Sequence, residues 1–104
     1  MRTVFLLALV ACGADGPSLT ATWTVVDATG PVDCPTSTTV DVVLPERTET
    51  FACTDGVGVL ADLTGGQVRA ELVLRDGSGT PLATTTRLVN IDGPTETAAV
   101  LVLE

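Results

Sequence analysis

Val68-Arg69-Ala70-Glu71-Leu72-Val73-Leu74-Arg75 carries the clearest strand pattern in the chain. Val68, Ala70, Leu72 and Leu74 fall on one side; Arg69, Glu71, Val73 and Arg75 fall on the other. A period of two marks a strand with one buried face. Asp76-Gly77-Ser78-Gly79 follows it as a hairpin signal and returns the chain into a strand from Leu82 to Ile91, with a change of facing near Leu88-Val89. Asp92-Gly93-Pro94 turns the chain again, and Thr97 to Leu103 forms the last strand.

The same pattern extends backwards. Gly65-Gly66 breaks off a segment in which Val57, Val59, Ala61 and Leu63 alternate with Gly58, Leu60, Asp62 and Thr64. Asp55-Gly56 is a turn pair. Glu49 to Thr54 reads as a short strand carrying Phe51 and Cys53, and Pro45 to Arg47 as a turn. Thr39 to Leu44 alternates with Val40, Val42 and Leu44 inward, whereas Val32 to Thr38, with Cys34-Pro35, reads as irregular. Ala28-Thr29-Gly30-Pro31 is a turn signal. Before it, Leu19, Ala21, Trp23 and Val25 alternate with Thr20, Thr22 and Thr24. About seven short strands, with turn signals every 8–12 residues or so and no helical period, predict an all-β antiparallel sandwich over 19–104. Trp23 is expected in its core, near Cys34 and Cys53.

The first residues have a different character. Arg2 supplies a positive start and Val4 to Ala11 an apolar run with small residues at its end, the pattern of an export signal. The run is far shorter than the roughly 20 residues that span a bilayer as a helix. Gly13-Ala14-Asp15-Gly16-Pro17-Ser18 then supplies small residues suited to a tether. The expected organisation is therefore a signal over 1–11, a tether over 12–18 and a folded domain over 19–104.

Leu9-Val10-Ala11-Cys12 resembles the lipobox of bacterial lipoproteins. The resemblance implies cleavage before Cys12, lipidation of its sulfur and membrane attachment through the acyl chains. Two or more chains anchor stably where one is marginal. Gly13 after the cysteine implies, by the family's sorting tendency, the outer rather than the inner membrane. A plainer reading makes Cys12 an unreactive cysteine in an ordinary signal. Lipidation of Cys12 leaves Cys34 and Cys53 as an even pair in an exported, oxidising compartment, where a disulfide is expected. It would contribute about 3 kcal/mol in the chain-entropy view.

Phe51 to Asp76 resembles the centre of the prealbumin-like, or carboxypeptidase regulatory-like, Ig-like β-sandwich domains. Asp55-Gly56, Leu63-Thr64-Gly65-Gly66 and Val68 to Leu72 stand where those domains carry a turn, a Gly-bearing break and an alternating strand, with Val68 in place of their usual aromatic. The placing of Trp23, Cys34, Cys53 and the last strand also resembles small lipoproteins of myxobacteria and their relatives. What these families share is a fold and export, and a fold alone licenses no function.

Composition narrows the chemistry. The net charge is −8, with five Arg and no Lys or His. An acidic chain repels nucleic acid and anionic headgroups, so nucleic acid is not an expected partner. General acid–base and nucleophilic sites recruit His, or pair Ser or Cys with a base. Without His, Lys or Tyr, no catalytic residue is assigned. Carboxylate pairs such as Asp41 with Glu46, or Asp62 with Glu71, read better as solvated surface. Loops with Asp55, Asp76 and Asp92 hold one Asp each, which suits turns better than calcium. No metal ligands or cofactors are assigned. The expected role is a non-catalytic, lipid-anchored envelope module, accessory or structural. The alternative is an extracellular binding module for a glycan, through exposed aromatic surface, or for an envelope protein, by strand addition. A small hydrolase has the least support.

Overall fold

The computed structural model describes residues 16–103. The signal segment, Cys12 and most of the tether lie outside the described residues. Eight strands form, and no α-helix is present among the described residues. They are β1 (Ser18–Asp27), β2 (Gly30–Val32), β3 (Thr39–Val43), β4 (Thr48–Ala52), β5 (Val57–Leu60), β6 (Gly66–Arg75), β7 (Pro81–Ile91) and β8 (Pro94–Val102). They make two four-stranded sheets packed as a sandwich.

In sheet one, β1 is central. The short strands β5 and β2 pair antiparallel with it on one side, and β8 runs parallel to it on the other. Sheet two has the order β4-β3-β6-β7, all antiparallel. The sandwich is thus antiparallel-rich, with one parallel contact where the first and last strands meet.

Alternation builds the core. Leu19, Ala21, Trp23 and Val25 of β1, with Ala99 and Leu101 of β8, face Val40 and Val42 of β3 and Ala70, Leu72 and Leu74 of β6. Opposing inner faces that interdigitate in this way are how sandwiches bury their apolar side chains. Thr38 is buried, and its hydroxyl donates to the Pro35 carbonyl oxygen at 2.7 Å. The local exchange satisfies a group that burial would otherwise penalise.

Three details depart from the sequence expectations. First, there are eight strands: Gly30–Val32 pairs with Val25–Asp27 as a short hairpin arm. Asp27 Oδ1 stabilises the intervening turn, accepting from the Thr29 amide at 2.8 Å and its hydroxyl at 2.6 Å. Second, β5 ends at Leu60 and buries Gly58 and Leu60, leaving Val57 and Val59 outside. The inner site at Gly58 is occupied by the Phe51 ring from sheet two; a Cβ there would come within 2.5 Å of it. Third, β7 keeps Val89 and Ile91 inward and Leu88 outward without changing face there. The irregularity lies at the other end. Leu74 pairs with Ala83 and Arg75 with Pro81, so Leu82 is the extra residue of a bulge.

Candidate functional site

One end of the sandwich concentrates the chemically distinctive residues. β5 pairs with β1 through Thr22, and β2 joins it from Val25. Trp23 and Thr24 therefore lie at a gap between two short edge strands. A groove of about 360 Å3 opens there, walled by Trp23, Val25 and Val32. Cys34 and Cys53 form a disulfide along its margin, with Cα atoms 5.9 Å apart. Cys34 follows β2 of sheet one and Cys53 follows β4 of sheet two, so the bond ties the sheets together.

The expected strand over Glu49–Thr54 stops at Ala52, and Cys53–Asp55 forms a 3-10 turn. The turn serves the site. Gly56 closes it at φ 72°, a left-handed conformation that suits glycine. The Cys53 carbonyl accepts from the Gly56 amide at 3.1 Å and from Trp23 Nε1 at 2.9 Å. The Gly56 carbonyl in turn accepts from the Trp23 amide at 3.1 Å. Trp23 is only 7 % exposed, and its ring lies 6.1 Å from that of Phe51. The expectation that Trp23 packs in the core beside the cysteines matches this geometry. The indole is engaged inward and is too little exposed to serve as a sugar-stacking platform.

The groove lining carries one carboxylate, Asp33, and two hydroxyl residues, Thr24 and Thr54. Such groups can accept and donate hydrogen bonds to a bound molecule. The lining holds no nucleophile paired with a base.

Of the carboxylates considered from the sequence, Asp41 and Glu46 each have a local partner. Asp41 Oδ2 accepts from Arg75 Nε at 2.8 Å and Asp41 Oδ1 from the Thr50 hydroxyl at 2.7 Å, linking β4, β3 and β6 across the outer face of sheet two. Glu46 accepts from the Thr64 amide at 3.1 Å and fastens the β3–β4 turn to the loop after β5. Asp62 sits in that loop at φ 57°, a conformation Asp tolerates better than most residues. Glu71 lies on β6, half-buried. Among the described residues no group of three or more His, Cys, Asp and Glu is placed to hold a metal ion.

Asp27 and Asp76 are the two turn-capping acids. Asp76 Oδ1 accepts from the Ser78 hydroxyl at 2.7 Å, the Ser78 amide at 2.9 Å and the Thr80 amide at 3.0 Å. The Ser78 hydroxyl, then these amides, hold its carboxyl below the usual value of 3.8. The Thr29 hydroxyl and amide do the same for Asp27. A depressed folded-state pKa stabilises the fold above the unfolded value and is lost as pH falls through the folded one. The thermal midpoint is therefore expected to drop as pH falls below about 4. The Asp27→Asn, Asp76→Asn double variant should show a shallower drop in an acid melting series; an unchanged slope would rule out these turns as the cause.

Fold and site together define a small, disulfide-stapled, antiparallel-rich β-sandwich. No protein-family model matches the chain, and a search of curated proteins finds no significant match.

Proposed function

We propose that the chain is an exported, lipid-anchored module of the bacterial cell envelope with a non-catalytic, accessory or structural role. The observation that carries this reading is the Cys34–Cys53 disulfide. It suits an oxidising compartment, and it leaves Cys12 as the odd cysteine at the end of an export-type apolar run. No helix of the described residues is long and apolar enough to cross a membrane. The outer membrane and the lipoprotein likeness belong to the same proposal, as does a kinship with prealbumin-like domains.

The groove beside the disulfide favours, as a second reading, an extracellular binding module. Its hydroxyls, single carboxylate and apolar walls suit a small polar ligand or a side chain of an envelope protein. Burial of Trp23 counts against a glycan held by aromatic stacking.

Labelling of expressing cells with tagged palmitate tests the anchor. The wild-type chain is expected to carry label and to sediment with membranes. Cys12→Ser should carry none. An unlabelled wild-type chain, or a Cys12→Ser chain that is still labelled, would remove the lipid from the proposal.

A further inference from the structure

The two outer faces of the sandwich differ sharply. On sheet two, Asp41, Arg69, Glu71 and Arg75 stand on the outer face. On sheet one the register aligns Thr20 with Val59 and Glu96, Thr22 with Val57 and Ala98, Thr24 with Val100, and Val26 with Pro31 and Val102. These rows hold one charged side chain, in a chain whose net charge is −8. Val59, Val100 and Val102 are 56 %, 48 % and 52 % exposed. Glu96 lies near one end, so a contact centred on Thr24 and Val100 leaves it at the rim.

We propose that this face is where two copies of the chain associate. The face lacks the basic and aromatic residues that hold a sheet to a lipid surface. It also lacks an aromatic platform for sugars, since Trp23 is buried and the Phe51 ring is turned against Gly58. A chain this acidic approaches its own copy best where charge is sparse, and these rows, with Glu96 at the rim, supply that surface. Flat rows of Val and Thr methyl groups pack against similar rows, as the inner faces of a sandwich do. Strand spacings give roughly 450 Å2 of face per copy. Two such faces cover on the order of 900 Å2, at the low end for specific contacts and below permanent dimers. The dimer is accordingly reversible, with a Kd on the order of tens of micromolar. Salt tightens it, because screening weakens the repulsion between the acidic surfaces around the contact. The inference is independent of the lipid anchor.

Every core residue lies between Leu19 and Leu101, so a chain starting at Gly13 contains the whole fold. Sedimentation of that chain from about 5 to about 500 μM is the test, and should show a monomer–dimer equilibrium that tightens with added NaCl. Val100→Glu places a charge in the contact and should weaken association at least about tenfold. Leu88→Glu, at an exposed position on sheet two, should leave it unchanged. Circular dichroism establishes that both variants are folded. A monomer across the whole range overturns the proposal. So does a dimer that Leu88→Glu breaks and Val100→Glu does not. A monomer that binds phosphatidylcholine vesicles through Val100 would assign the face to lipid instead.

Discussion

Trp23→Ala is expected to destabilise the domain by about 3–5 kcal/mol, as loss of a large buried aromatic generally does. Against a total stability of about 5–15 kcal/mol, a loss of that size leaves little margin. Trp23 is buried on the central strand of sheet one, packs towards Phe51 of sheet two and donates Nε1 to Cys53. Most of the loss comes from packing. The Cys53 carbonyl keeps its bond from the Gly56 amide, so removing the indole donor does not orphan that acceptor. Trp23→Phe separates the two contributions. It keeps much of the ring and loses the N–H, so it should cost clearly less than Trp23→Ala, with about 1 kcal/mol attributable to the hydrogen bond. Urea denaturation followed by circular dichroism measures both, since the substitution removes the chain's single Trp as a fluorophore. Equal losses for the two variants would mean that the hydrogen bond, and not packing, carries the site.

Removal of the disulfide is the second large effect. The cysteines are 19 residues apart, and closing a loop of that length contributes about 3 kcal/mol in the chain-entropy view. Here the bond also joins the end of β4 to the loop after β2, where the edge of sheet one is interrupted. Cys34→Ala with Cys53→Ala should lower stability by about 3 kcal/mol and raise the slope with denaturant, because the unfolded chain without the cross-link is less compact and exposes more surface. A shift under about 0.5 kcal/mol would show that the bond is incidental to the fold. The combined Trp23→Ala and cysteine variant should not lose the sum of the two. Trp23 is hydrogen-bonded to Cys53, and neighbouring changes couple.

The strands that the sequence reveals best are those with one buried and one wet face. In β1, the Thr residues mark the outer side so regularly that the core set Leu19, Ala21, Trp23 and Val25 reads directly. In β6 both faces also read correctly, and only the burial of Val73 is not legible. That residue is buried on the outer face, in register with Asp41 and Thr84 and beside the Asp41–Arg75 pair. What failed did so where residue type and environment disagree. Val57 and Val59 are apolar and exposed, whereas Gly58, which has no side chain to bury, lies on the inner side of the alternation. The reason is the Phe51 ring, a contact from the other sheet that no local pattern encodes. The three residues of β2 are too few, with Pro31 among them, to show a period. The parallel pairing of β1 with β8 is equally invisible, because alternation gives a strand its faces and not its neighbours.

The site was legible in part. Cysteine parity pointed to Cys34 and Cys53, and their bond is present. Nothing in the sequence marked the groove, because it arises from a gap between β5 and β2 rather than from a motif. The exposed rows of sheet one were hidden for the same reason. The apolar face exists only because strand pairing sets Val57 and Val59 of β5 on one surface with Val100 and Val102 of β8.

The intact mass of the protein from a native membrane fraction, alkylated with and without prior reduction, tests the central proposal most directly. The expected mass is that of a chain that begins at Cys12 and carries acyl chains, with two thiols alkylated only after reduction. A mass that retains the first 11 residues or lacks lipid would contradict the anchored envelope module, and thiols that react without reduction would contradict the Cys34–Cys53 staple.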